Sequence, residues 1–206
     1  MFTARRRSGR YQVAFGQTDE FLGGVAALRQ RFPDPEPDEF DWSNLTTSFF
    51  TTLVAGHPAP SEWVVEGNTG GMISHVRLTR QERDGWGPLR SWIREKDLLP
   101  RGADVGELTR AVSGIEGKGF FGINCCQCLR TAAEMGLSQV ILVCSPGEPY
   151  EYYCGRLGFK PALKHPLTLE KKMGVVLNVR LFSWQPGPEE LRMVAEEESL
   201  RLRRIS

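Results

Sequence analysis

The stretch GIEGKGFFG, residues 114–122, sets four glycines around Lys118 immediately ahead of a segment with helical spacing. A bare loop at a helix start turns unpaired backbone N–H groups toward one point, and the helix dipole makes that point attractive to anions. Phosphate is the anion such a loop suits best. Two common phosphate patterns are excluded: the chain has no G-x-x-x-x-G-K-[ST], and the loop lacks the dinucleotide spacing with an acidic residue at a second strand end. Glycines between a strand and a helix also serve as ordinary turns, so the elements around the loop decide its meaning.

Those elements can be read from periodicity. TDEFLGGVAALRQRF is expected to be a first helix, capped by Thr18 or Asp19, with Phe21, Leu22, Val25, Leu28 and Phe32 on one side. The prolines of PDPEPDEFDW stop it and make that acidic stretch a loop. SNLTTSFFTTLVAG reads as a second helix from Ser43 to Gly56, and SEWVVEGNTGGMISHVRLTR as a hairpin. An excursion with a helical turn or two over residues 89–99 precedes the strand VGELTRAVS. After the glycine loop comes a helix with the stripe Phe121, Cys125, Cys128, Ala132 and Met135, ended by Gly136. SQVILVCS is a strand buried on both faces. PGEPYEYYCGRLGF is a short helix ending near Gly158, and strands follow over 159–163 and in MGVVLNVRLFSW. The last of these is offered as an edge strand through which a homodimer would pair.

The 206 residues are read as one domain, with a basic, flexible start over 1–17 and a charged, mostly exposed C-terminal helix over 186–206. Lys and Arg number 26 against 25 Asp and Glu, a balance that gives no reason to expect nucleic acid as a partner. Basic residues gather in ARRRSGR and RLRR, as solvated tails or as a docking patch for an acidic carrier protein. The five cysteines are read as free thiols of a reducing cytosol; no signal peptide and no membrane span are expected, and the protein is placed in the cytoplasm. His57, His75 and His165 are scattered and take structural or surface roles.

ELTRAVSGIEGKGFFG followed by YYCGRLGF, in this order of elements, resembles the GNAT superfamily of acyl-CoA-dependent N-acyltransferases. The resemblance covers residues 63–184 and implies a mixed α/β fold: a mostly antiparallel twisted sheet, one splayed parallel strand pair, and flanking helices. It implies acetyl-CoA or another acyl-CoA as co-substrate, no metal, and a small or peptidic amine as acceptor. The pyrophosphate would lie on Gly117, Lys118, Gly119, Phe120, Phe121 and Gly122, and the pantetheine amides on backbone groups of Ala111, Val112 and Ser113. Gly114 stands where the motif begins with Arg or Gln. Counting back from Gly158 puts Cys154 where the motif has its acid tyrosine, with Tyr153 beside it; either would protonate the departing thiolate. Glu107 and Asp104 are the candidate bases for the amine, Glu107 being equally suited to pairing with Arg110 or Arg77.

LRQRF, EPDEFD, GGMISHVRLT and ELTR also resemble, in order, the motifs of acyl-homoserine lactone synthases and N-acyl amino acid synthases. That likeness implies a long-chain donor, on CoA or acyl carrier protein, and a substrate site built from Glu36, Asp38, Asp41, Arg77 and Arg110. The departures at Gly114 and Cys154 favour a third reading, a catalytically silent domain that binds CoA or a protein partner.

Overall fold

The structure is a computed structural model that describes residues 3–8, 11–17, 46–53, 72–113, 120–145, 150–170, 174 and 176–205. The chain divides into two compact units: residues 1–77, 110–128 and 198–206, and residues 78–109 and 129–197.

In the first unit, β1 (Thr3–Ser8) and β2 (Tyr11–Gln17) form an antiparallel hairpin, with a register irregularity between Ala4 and Arg6. β2 pairs antiparallel with β3 (Thr46–Leu53), from Tyr11 opposite Leu53 to Gln17 opposite Thr47. β4 (Met72–Arg80) lies next to β3. Two expectations are corrected. The flexible basic start is a hairpin, because Tyr11, Val13 and Phe15 alternate with Gln12, Ala14 and Gly16 at the two-residue period of a strand. The helix expected over 43–56 is β3, whose β-branched and aromatic residues fit a pleated surface better than a helix. The first helix and the front half of the expected hairpin lie outside the described residues.

The second unit is built on a sheet that runs from the end of β4 through β5 (Val105–Ser113), β6 (Gln139–Cys144) and β9 (Val176–Trp184). β7 (Lys160–Pro161) and β8 (Leu167–Glu170) both pair with β9. Among the described pairings, β5 with β6 is the parallel one, Val105 opposite Gln139 and Glu107 opposite Ile141. β6 pairs antiparallel with β9 from Val140 opposite Trp184 to Cys144 opposite Arg180. β9 is thus no edge strand: β6 and β7 flank its second half, and β8 pairs with residues 176–179. β8 was not expected from the sequence.

Leu89, Ile93, Leu99, Val105, Ile141, Leu167, Leu169, Val179 and Leu181 form the apolar core on one side of this sheet. The excursion between β4 and β5 supplies three of them, through α1 (Pro88–Trp92) and a 3-10 turn at Lys96–Leu98. β8 fastens the excursion from outside. Arg94 N–H donates to the Thr168 carbonyl at 2.9 Å, and Glu95 accepts from the Thr168 N–H at 2.8 Å and its hydroxyl at 2.9 Å. On the other side, the bare Cα of Gly106 admits close packing: a β-carbon there would lie 2.8 Å from Leu137 Cδ1 and 2.9 Å from Leu78 Cδ1.

α2 (Phe120–Glu134) follows the glycine loop. The single-striped helix expected there is instead buried nearly all round: Phe120, Ile123, Asn124, Cys125, Cys126, Gln127, Cys128, Leu129 and Ala132 are all inaccessible, while Met135, expected in the apolar stripe, is exposed. It ends as its sequence implies, with Gly136 at φ +72 and the N–H groups of Gly136 and Leu137 returned to Ala133 and Ala132. α3 (Tyr150–Leu157) ends the same way, Gly158 at φ +78 and Phe159 N–H on the Tyr153 carbonyl. α4 (Pro188–Ile205) is charged as expected, but Val194, Glu197 and Glu198 are buried.

Candidate functional site

In the first unit, the described residues that the sequence singles out around the glycine loop lie at the end of β5 and the start of α2. Ala111, Val112 and Ser113 are the last residues of β5, and Arg110 precedes them in the strand. Phe120, Phe121 and Gly122 form the first turn of α2; the Phe120 ring is buried and Phe121 is half-buried. Gly117, Lys118 and Gly119 lie outside the described residues, as do Glu36, Asp38 and Asp41.

Polar contacts one and two turns further on fix the start of α2. Asn124 donates its side-chain N–H to the Ser74 hydroxyl on β4 at 2.5 Å, and Gln127 donates to the Glu198 carboxylate on α4. Both pairs are buried, where a satisfied hydrogen bond specifies one arrangement because breaking it strands two polar groups. Arg77 sits on β4 with 1% of its surface exposed, and His75 on the same strand is fully buried. Sequence reasoning missed Asn124 and Gln127 as helix anchors. Their signal was present in plain form, as two amides in a stretch of the helix, residues 120–129, that is otherwise apolar.

In the second unit Glu107 lies in the buried stretch of β5 with none of its surface exposed. Its Oε2 accepts the Leu89 N–H at 2.7 Å and its Oε1 accepts from the Gln81 side chain at 3.0 Å. Asp104 stands in the turn before β5 with its side chain exposed, and its carbonyl accepts the Ser138 N–H at 2.9 Å. On α3 the Tyr153 ring is buried, edge-on to Phe159 at 5.8 Å and to Tyr152 at 5.5 Å, an aromatic packing role. Cys154 next to it is half-buried.

The other four cysteines are buried free thiols. Cys125 and Cys128 have the spacing of a redox pair. Their environment opposes that chemistry, for both are sealed within α2 and burial pushes the Cys128 thiol far above its ordinary range. Among the described residues no helix is long and apolar enough to cross a membrane.

No protein-family model matches the sequence, and a search of curated proteins gives no match. Solved structures do resemble it. TofI in an apo form superposes with a TM-score of 0.61 at 16% identity, covering 92% of this chain and 99% of that one. MesI, described as a CoA-dependent acyl-homoserine lactone synthase, gives 0.54 at 17% identity, covering 88% of each chain. FeeM, an N-acyl amino acid synthase from uncultured soil microbes, gives 0.54 at 12% identity, covering 85% of this chain and 92% of that one. The chain has the GNAT fold. Within the GNAT fold, the parallel pair expected from the sequence is β5 with β6, and the glycine loop leads from the first of these strands into α2.

Proposed function

We propose that the protein is an N-acyltransferase that moves an acyl group from acyl-CoA to a primary amine by direct attack in a ternary complex. The observation that carries this reading is the order β5, glycine-rich sequence, α2, β6, with β5 and β6 paired in parallel from Val105 opposite Gln139 to Glu107 opposite Ile141. The backbone amides of residues 117–122 would grip the pyrophosphate, with Lys118 adding charge, and main-chain groups of Ala111, Val112 and Ser113 would hold the pantetheine.

The amine nitrogen attacks the thioester carbon, an oxyanion forms on the carbonyl oxygen, and collapse breaks the C–S bond to leave an amide and the CoA thiolate. A main-chain N–H of residues 110–112 would donate to the oxyanion. The amine's proton departs to a carboxylate such as Asp104 or to water, and the thiolate takes a proton from Cys154. Tyr153, packed in an aromatic corner, is a poorer donor.

Isothermal titration with CoA, together with thiol release from acetyl-CoA in a pool of amines, tests this reading. Heat on binding that is lost in Gly119→Val, and amine-dependent thiol release, are the expected results; no heat with CoA would end it. Binding without turnover for any amine would mark a silent CoA-binding domain.

A second reading is favoured by the likeness to MesI and FeeM over most of the chain. The donor would then be a long-chain acyl group on CoA or a carrier protein, and Glu36, Asp38, Asp41, Arg77 and Arg110 would bind an amino-acid-like acceptor. A preference for long over acetyl chains in the same assay separates the two.

A further inference from the structure

We propose that Glu107 is a positioning residue, its buried carboxylate clamping the 81–102 excursion to β5, and that it is not the base that deprotonates the amine. The role in transfer rests on the acyltransferase reading; the clamp itself rests on the contacts around the carboxylate.

Both carboxylate oxygens are engaged by donors whose orientation the main chain dictates. Gln81 follows β4 directly, and its own N–H bonds the Val105 carbonyl at 2.9 Å. Its side-chain oxygen accepts the Gly102 N–H at 3.2 Å, and its side-chain nitrogen donates to the Pro100 carbonyl at 3.0 Å. Those two contacts fix which end of the amide is which, so the group presented to Glu107 Oε1 is an N–H. At the other oxygen stands the Leu89 N–H, an orphan donor in the first turn of α1.

The helix cannot satisfy that donor itself, for its N-cap is Gly87, which has no side chain to offer. Glu107 caps α1 from a neighbouring strand. The glycine is required by the approach, since a β-carbon on Gly87 would lie 2.1 Å from Glu107 Oε1. A carboxylate suits the place because it only accepts; an amide at 107 would turn an NH2 toward either the Gln81 NH2 or the Leu89 N–H. A proton arriving on either oxygen would displace one of these donors, and with it one end of the excursion. Such a group holds geometry well and shuttles protons badly.

The test uses the full chain with Glu107→Gln, Gln81→Ala, and the exchanged pair Gln81→Glu with Glu107→Gln. Amide hydrogen exchange at Leu89 is followed alongside the pH dependence of kcat and of KM for the amine. Under the proposal, Glu107→Gln raises KM and speeds Leu89 exchange by about 10-fold or more, since the charged acceptor is lost and an amide at 107 must turn its NH2 against one of the two facing donors. The pH profile of kcat keeps its shape. Gln81→Ala does the same although it touches no reacting group, and the exchanged pair recovers part of the Leu89 protection by restoring a facing donor and acceptor.

The proposal is overturned if Glu107→Gln lowers kcat by about 10²- to 10⁴-fold and removes the acidic limb of the profile, the signature of a lost general base. Unchanged Leu89 exchange in both single variants overturns it as well. Should the native protein transfer no acyl group to any amine, the acyltransferase reading fails, and Leu89 exchange still decides whether the clamp exists.

Discussion

At the scale of single residues, the chemistry offered by α3 comes down to Cys154. Tyr153 points its ring into an aromatic corner, while Cys154 keeps part of its surface exposed. If the thiol protonates the leaving CoA sulfur, Cys154→Ala should lower kcat by about 10²-fold, the smaller end of what a positioned acid contributes. Cys154→Tyr, which restores the residue of the wider motif, should keep the rate near that of the native protein. Tyr153→Phe should leave it unchanged. Steady-state thiol release from acyl-CoA measures all three, and equal rates for native protein and Cys154→Ala would remove the thiol from the mechanism. Cys154, Glu107 and Asp104 stand out in the sequence because they fall at a fixed count from a glycine, or on or beside a recognisable strand. The partners of Glu107 do not, for Gln81 is 26 residues away and Leu89 is 18, and no local pattern announces a cap supplied from another element.

At the scale of elements, Gly106 is a position where β5 packs tightly against side chains from β4 and from the turn that leads into β6. Gly106→Ala sets a methyl group 2.8 Å from Leu137 and 2.9 Å from Leu78, so one of those side chains must leave its rotamer. The expected cost is about 1–3 kcal/mol, read from the midpoint of urea unfolding at constant slope; an unchanged midpoint would show the packing to be loose. Strands with a continuous apolar run, such as β6, and helices with a glycine stop, such as α2 and α3, were plain in the sequence. β3 was misread for a definite reason. Leu45, Phe49 and Leu53 recur at four-residue steps and imitate a helix face, while the density of threonine and phenylalanine around them decides for a strand. β8 was missed because four residues, LTLE, carry too little pattern; it exists through β9 and through its grip on Arg94 and Glu95.

At the scale of the molecule, three surface carboxylates among the described residues contribute to the response to acid. Glu95 is held below the usual carboxylate range first by the Thr168 N–H, Glu170 by the guanidinium of Arg94 at 2.7 Å, and Glu190 by its own N–H and then by Lys160 at 3.1 Å. A carboxylate depressed in the folded state lends stability above its unfolded value, near about 4.3, and loses it as pH falls through the folded one. The thermal midpoint should therefore be flat between about pH 7 and 5 and fall below about 4.5. Glu95→Gln should blunt that fall, and an identical acid limb would show Thr168 to be a weak partner. All three pairs are exposed enough for salt to screen them, so the slope should also soften at high ionic strength.

The order of strands has a consequence for synthesis. β6 takes β5 on one edge and β9 on the other, yet β9 leaves the ribosome only after α3, β7 and β8 have been made. Until then the QVILVC run offers one side of its backbone to any passing strand. A nascent chain of this protein carries this apolar segment half-covered while residues 145–184 are being made, and that interval is where a holding chaperone has the most to do.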